Sequence, residues 1–156
     1  DGETCVCGTP GCLEAIASGD SIARHAAAKL GEGGGSFMGD GPETKRMVSS
    51  EDVVHAAGSG DKTAMEVMER TGKYLALNLV SLMRLLDPEA IIIGGGVSRA
   101  GDLLSDVILA AVPTEELRNH LKEILRFSPW SSGIVGAACI VLERENKGKE
   151  SPYTTC

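Results

Sequence analysis

The stretch from Asp61 to Asp87, DKTAMEVMERTGKYLALNLVSLMRLLD, constrains the fold more than any other part of this chain. Ala64, Val67, Met68, Thr71, Leu75, Leu79, Leu82, Met83 and Leu86 recur at steps of three and four. That is the period of one helix face. The spacing predicts a helix of about 26 residues, about 39 Å long at 1.5 Å per residue. In its second half Leu75, Ala76, Leu77, Leu79, Val80, Leu82, Met83, Leu85 and Leu86 take up most of the circumference. A helix apolar nearly all round is buried on several sides. Asp61 can cap its start, and Asp87-Pro88 stops it because proline has no amide to donate.

The next segment is EAIIIGGGVSRAGDLL. The apolar run Ala90 to Ile93 suits a strand covered on both faces. Gly94, Gly95 and Gly96 end it, and a helix is expected to begin near Arg99 or Ala100. A second short helix is expected from about Thr114 to Lys122, and a strand over 123–128. GIVGAACIVLERENK reads as a last helix with Ile134, Ala137, Ala138, Val141 and Leu142 inward. Upstream, CLEAIASGDSIARHAAAKL reads as two helices broken at Ser18-Gly19, with Asp20 capping the second. Ser49-Ser50-Glu51-Asp52 marks a further helix start, running to about Ala57. The glycine-rich residues 31–46 follow a helix rather than a strand, so they read as a loop and not as a phosphate cradle.

Helices and strands alternate after residue 60, the pattern of an α/β fold with a helix-covered sheet. Two strands are few for so many apolar helices, so more of the sheet is expected before Asp1. A chain that opens at Asp1 rather than Met fits a fragment, a processed product or an excised domain. Its 156 residues suffice for one domain with a real core. Aromatics are only 3% of the chain, so the core must be aliphatic and base stacking has little material. The formal net charge of -7 argues against direct nucleic-acid binding by this segment. No apolar run approaches the ~18 residues of a membrane span, and the N-terminus lacks a basic-then-apolar leader. A cytoplasmic, reducing setting is therefore expected.

Three of the five cysteines stand in CVCGTPGC. Cys5 and Cys7 are too close in sequence for an easy disulfide with each other. Zinc takes four tetrahedral ligands from sulfur and nitrogen, so Cys5, Cys7 and Cys12 fit a zinc site with either an open catalytic position or a fourth ligand elsewhere. A thiol redox site and unliganded thiols are the other readings. Gly8 and Gly11 allow a tight loop, and Pro10 stiffens it. His25, His55 and His120 are the candidates within the chain for a fourth ligand. Cys139 reads as a small core residue and Cys156 as an exposed terminal thiol. Glu14 opens a helix. It either satisfies the helix dipole or accepts hydrogen bonds from a polyol substrate. Gly94–Gly96 at a strand end either let a ligand approach the main chain or form a tight turn under a close helix.

CVCGTPGCLE resembles the zinc signature C-x-C-G-x-x-G-C-x-E of the ROK family (repressors, open reading frames, kinases). DPEAIIIGGGVS is similar to the family's later LDPE-x-I-hydrophobic-GGGVS segment, and GIVGAACIVLE to its terminal G-x-x-GAA helix. The resemblance covers about residues 1–145. It implies the C-terminal part of an actin-like ATPase (ribonuclease H-like) sugar-kinase fold with a zinc-binding loop. Residues 1–147 would form the C-terminal lobe and 148–156 a polar tail. The implied activity is ATP- and magnesium-dependent phosphorylation of a hexose or N-acetylhexosamine. The alternative is the effector-binding portion of a sugar-responsive repressor, with a DNA-binding helix-turn-helix upstream. The resemblance gives Cys5, Cys7 and Cys12 to structural zinc, Glu14 to the sugar, and Gly94, Gly95 and Gly96 to the nucleotide. The family's zinc-binding histidine, phosphate loops and general-base aspartate all fall before Asp1. The implied partners are therefore sugar, ATP, the upstream part of the same protein and, as is common in such kinases, a second copy. Alone, the chain is expected to be inactive.

Overall fold

The structure is a computed structural model that describes residues 2–31 and 48–128. Its axis is α4, Lys62–Leu86. The Asp61 carboxylate accepts from the Ala64 amide at 2.8 Å and caps its start. At its end Asp87 turns left-handed (φ 44°), and its amide donates to the Met83 carbonyl. Packed along α4 are α1 (Leu13–Ala17), α2 (Gly19–Gly31), α3 (Ser50–Gly58), α5 (Gly101–Ala110) and α6 (Glu115–Ile124). The core between them is aliphatic, as the composition requires. Ile22, Val53, Val67, Met68, Leu104, Ile108 and Leu121 are among its fully buried members.

Two strands run parallel beside the helices. These are β1 (Ile91–Ile93) and β2 (Leu125–Phe127), paired Ile91 to Leu125 and Ile93 to Phe127. The connection carries a 3-10 helix (Val97–Ala100), α5 and α6, as a parallel crossover needs. α5 lies unusually close to α4 at Gly72. A Cβ there would stand 2.7 Å from the Val107 carbonyl carbon and oxygen.

Several expectations change. Ser18, not Asp20, caps α2: its hydroxyl accepts from the Ser21 amide at 3.2 Å, while Asp20 sits inside the first turn. The helix start expected at Ser49-Ser50-Glu51-Asp52 is present, with Ser49 and Asp52 forming a full capping box on α3. Residues 123–124 belong to α6 rather than to a strand, because the helix capped by Thr114 carries its period through Leu121 and Ile124. The strand expected over Ala90–Ile93 is shorter and is not covered on both faces, with Ile92 69% exposed. The late part of α4 is likewise not enclosed. Leu77, Leu82, Leu85 and Leu86 are exposed, and no described element packs on that side. The loop expected over 31–46 lies, beyond Gly31, outside the described residues. So do the helix expected in 133–147, the tail, Cys139 and Cys156. No described helix is long and apolar enough to cross a membrane.

Candidate functional site

The thiol loop closes on itself before α1 begins. The Cys5 amide donates to the Thr9 carbonyl at 3.0 Å, the Gly8 amide to the Cys5 carbonyl at 2.9 Å, and the Gly11 amide to the Glu3 carbonyl at 2.9 Å. Gly8 (φ 84°) and Gly11 (φ 81°) take the left-handed conformations that this tight return needs. Cys12 is the N-cap of α1, so the loop passes straight into the helix that carries Glu14. The Val6 side chain at the tip is fully exposed.

The sulfurs of Cys5, Cys7 and Cys12 lie within 4.8 Å of one another, with Cys7 and Cys12 3.6 Å apart. Tetrahedral zinc with Zn–S bonds of about 2.3 Å needs sulfurs about 3.8 Å apart. The donor set thus fits three of zinc's four ligands. Among the described residues no histidine joins them. His25 Nε2 instead lies 2.7 Å from Glu3 Oε1. His55 lines a separate small cavity, and His120 is exposed on α6.

The three thiols are not equivalent. The Thr9 amide and hydroxyl, then Cys12 and Cys5, hydrogen-bond to Cys7 and bring its thiol down to about 7. The contact with the Cys7 sulfur, then partial desolvation, push the Cys12 thiol up to about 11. Thiolate is the reactive form. In the metal-free chain, iodoacetamide should therefore take Cys7 first, at a rate that rises through a midpoint near pH 7. Cys12 should react well after Cys7. Peptide mapping after timed alkylation checks this, and equal rates at the two positions would contradict it.

Glu14 and the glycine turn come together. One cavity of about 530 Å³ is lined by Glu14, Ser18 and Gly19 on one side and by Gly94, Gly95 and Gly96 on the other. Leu75 of α4 and Leu104 of α5 form its apolar floor. All three glycines are exposed, and Gly95 has φ 91°. The buried Ser98 pins this turn: its hydroxyl donates to the Gly95 carbonyl at 2.7 Å and reaches the Ser128 carbonyl at 3.2 Å. The Ser128 amide in turn donates to the Ile93 carbonyl at 2.8 Å. The start of α2 abuts the same region. A Cβ on Gly19 would lie 3.1 Å from Ser50 Oγ and 3.9 Å from Val97 Cγ2.

Three features escaped the sequence reading. Ser98 follows the glycines and Val97, so its place in the motif was visible, but its two-carbonyl bridge depends on β2 lying alongside. Leu75 carried only a core signal. Glu3 gave none, because its partners Arg24 and Arg70 lie far along the chain.

The ROK family matches residues 1–144. Glucokinase from Halalkalibacterium halodurans is 32% identical over 96% of this chain and 47% of its own length. The DNA-binding transcriptional repressor Mlc of Escherichia coli is 32% identical over 79% of this chain and 29% of its own. The crystal structure of a ROK family glucokinase from Streptomyces griseus, in complex with glucose and AMPPNP, superposes with a TM-score of 0.71. It is 30% identical, over 90% of this chain and 47% of that one. The chain thus spans about half the length of the glucokinase it matches. The expected mixed α/β fold is present, in the form that the sugar kinases of this group take. The chain belongs to the ROK family.

Proposed function

We propose that this chain forms one wall of the cleft of an ATP-dependent kinase acting on a hydroxyl of a hexose or N-acetylhexosamine. One observation carries the reading: Glu14 and the Gly94–Gly96 turn line the same cavity of about 530 Å³. That volume lies within the range of small-ligand sites. Two carboxylate oxygens on a helix anchored by the thiol loop suit the hydroxyl donors of a sugar. The bare glycine backbone at the carboxyl end of β1 suits close approach of a nucleotide. The resemblance of the motifs and the glucokinase relatives support the same assignment.

In this reading Glu14 holds the sugar while the glycine turn, fixed by Ser98, orients the nucleotide. The transferred phosphoryl group leaves its nucleotide oxygen and bonds to the sugar oxygen, whose proton passes to an aspartate upstream of this sequence. Alignment of the two substrates supplies most of the acceleration, with magnesium neutralising phosphate charge. Cys5, Cys7 and Cys12 would hold structural zinc, whose chemistry here is to cross-link the loop. The fourth ligand would be the histidine that the family resemblance places before Asp1. Residues 1–147 act as the C-terminal lobe of a cytoplasmic, dimer-forming protein.

A second reading, the effector half of a sugar-responsive repressor, is favoured by the likeness to Mlc. The test is a protein of the relatives' length that carries this sequence, incubated with magnesium, ATP and a panel of hexoses and N-acetylhexosamines. Sugar-dependent ADP release is expected. Silence on every sugar, together with sugar-relieved binding to DNA, would select the repressor. The 156-residue chain alone should not turn ATP over.

A further inference from the structure

The hydrogen bonds of the thiol loop fix its shape but not its place. They run within residues 3–12, and the tip packs on nothing. Among the described residues 2–12, polar side-chain contacts with the rest of the molecule all converge on one group, the carboxylate of Glu3. Arg24 Nη2 donates to its Oε2 at 3.3 Å, and Arg70 Nη2 to its Oε1 at 3.0 Å. His25 Nε2 stands 2.7 Å from Oε1. Arg24 and His25 belong to α2 and Arg70 to α4, so one carboxylate ties the loop to two core helices. Arg24 also donates to the Ala15 carbonyl at 3.2 Å, which holds α1 to the same point. Arg70 is braced in turn, its guanidinium 5.3 Å from the centre of the Tyr74 ring.

We propose that Glu3 is the positioning residue of the thiol loop: through Arg24 and Arg70 it sets where Cys5, Cys7, Cys12 and the attached helix α1 stand against the core. The helices it grips do not need it. α2 and α4 are held by Ile22, Ala26, Val67 and Met68, all buried. Its loss should loosen the loop and leave the fold intact. A bidentate carboxylate partner is not replaceable by an amide at full strength, since the arginine bonds are charge-assisted.

The experiment compares wild type, Glu3→Gln, Glu3→Ala and Arg24→Ala in the 156-residue chain. The first readout is the alkylation rate of Cys5 in metal-free protein. Cys5 is the buried thiol of the three, so its protection reports loop placement. Glu3→Ala should speed it about tenfold and Glu3→Gln less, with unchanged helical circular dichroism. The second readout is zinc affinity by chelator competition, which rests on the zinc reading above. An outer group that orients ligands is worth about tenfold or more in metal affinity. Arg24 is largely exposed, so Arg24→Ala keeps the test alive if a Glu3 variant fails to fold. Faster alkylation in a chain that takes no zinc would sink the zinc reading and leave the clamp standing. Unchanged Cys5 protection across the variants would overturn the clamp.

Discussion

Replacing Glu14 by glutamine in a protein of the relatives' length should weaken hexose binding by about 100-fold. A hydrogen bond to a charged group contributes about 1.5–3 kcal/mol, and each 1.4 kcal/mol is tenfold. Glu14 is exposed on the cavity wall and makes no side-chain contact that the fold needs. Thermal stability and thiol count should therefore not move. Calorimetric titration of the variant with the preferred sugar measures the effect. An affinity within twofold of wild type would remove Glu14 from the sugar site and leave its carboxylate as a helix-dipole partner only.

Gly72→Ala should lower stability by about 2 kcal/mol, although alanine is the better helix former. Propensity favours the change by ~0.5–1 kcal/mol. Against that, the new methyl would lie 2.7 Å from the Val107 backbone and 2.8 Å from its Cγ2. Backbone cannot rotate away as a side-chain end can, and forced overpacking costs about 1–3 kcal/mol or more. α5 would have to retreat from α4. Leu104 of α5 and Leu75 of α4 form the cavity floor, so the same change should also loosen the cavity between Glu14 and the glycine turn. Denaturant unfolding checks the stability. A variant as stable as wild type would mean that the two helices can part without loss.

These outcomes depend on features that the sequence showed unequally. α4 was legible because its period, its Asp61 cap and its Asp87-Pro88 stop agree, and its bounds fell where they pointed. The thiol loop was legible because glycines at fixed offsets leave few ways to turn the chain. The exposure of Ile92 and of Leu77, Leu82, Leu85 and Leu86 was not. An apolar pattern says that a face can be buried, never what buries it. The break at Ser18-Gly19 was visible, but the acidic Asp20 drew the cap too far along the chain, whereas the Ser18 hydroxyl is the group that accepts from the Ser21 amide. Glu14 and the glycine turn each carried a local signal, whereas their meeting in one cavity is a product of tertiary packing around α4. Glu3 was illegible for the same reason, since a carboxylate's partners on distant helices leave no mark on its own neighbourhood.

In the proposed function one cavity presents Glu14 to a sugar and Gly94–Gly96 to a nucleotide. The direct measurement is an amide NMR titration of an isotope-labelled protein of the relatives' length that carries this sequence, first with glucose and then with magnesium ADP. Glucose-dependent shifts are expected at Glu14 and Ser18, and ADP-dependent shifts at Gly94 to Val97. Shifts that cluster elsewhere, with these amides unmoved at saturating ligand, would contradict that reading.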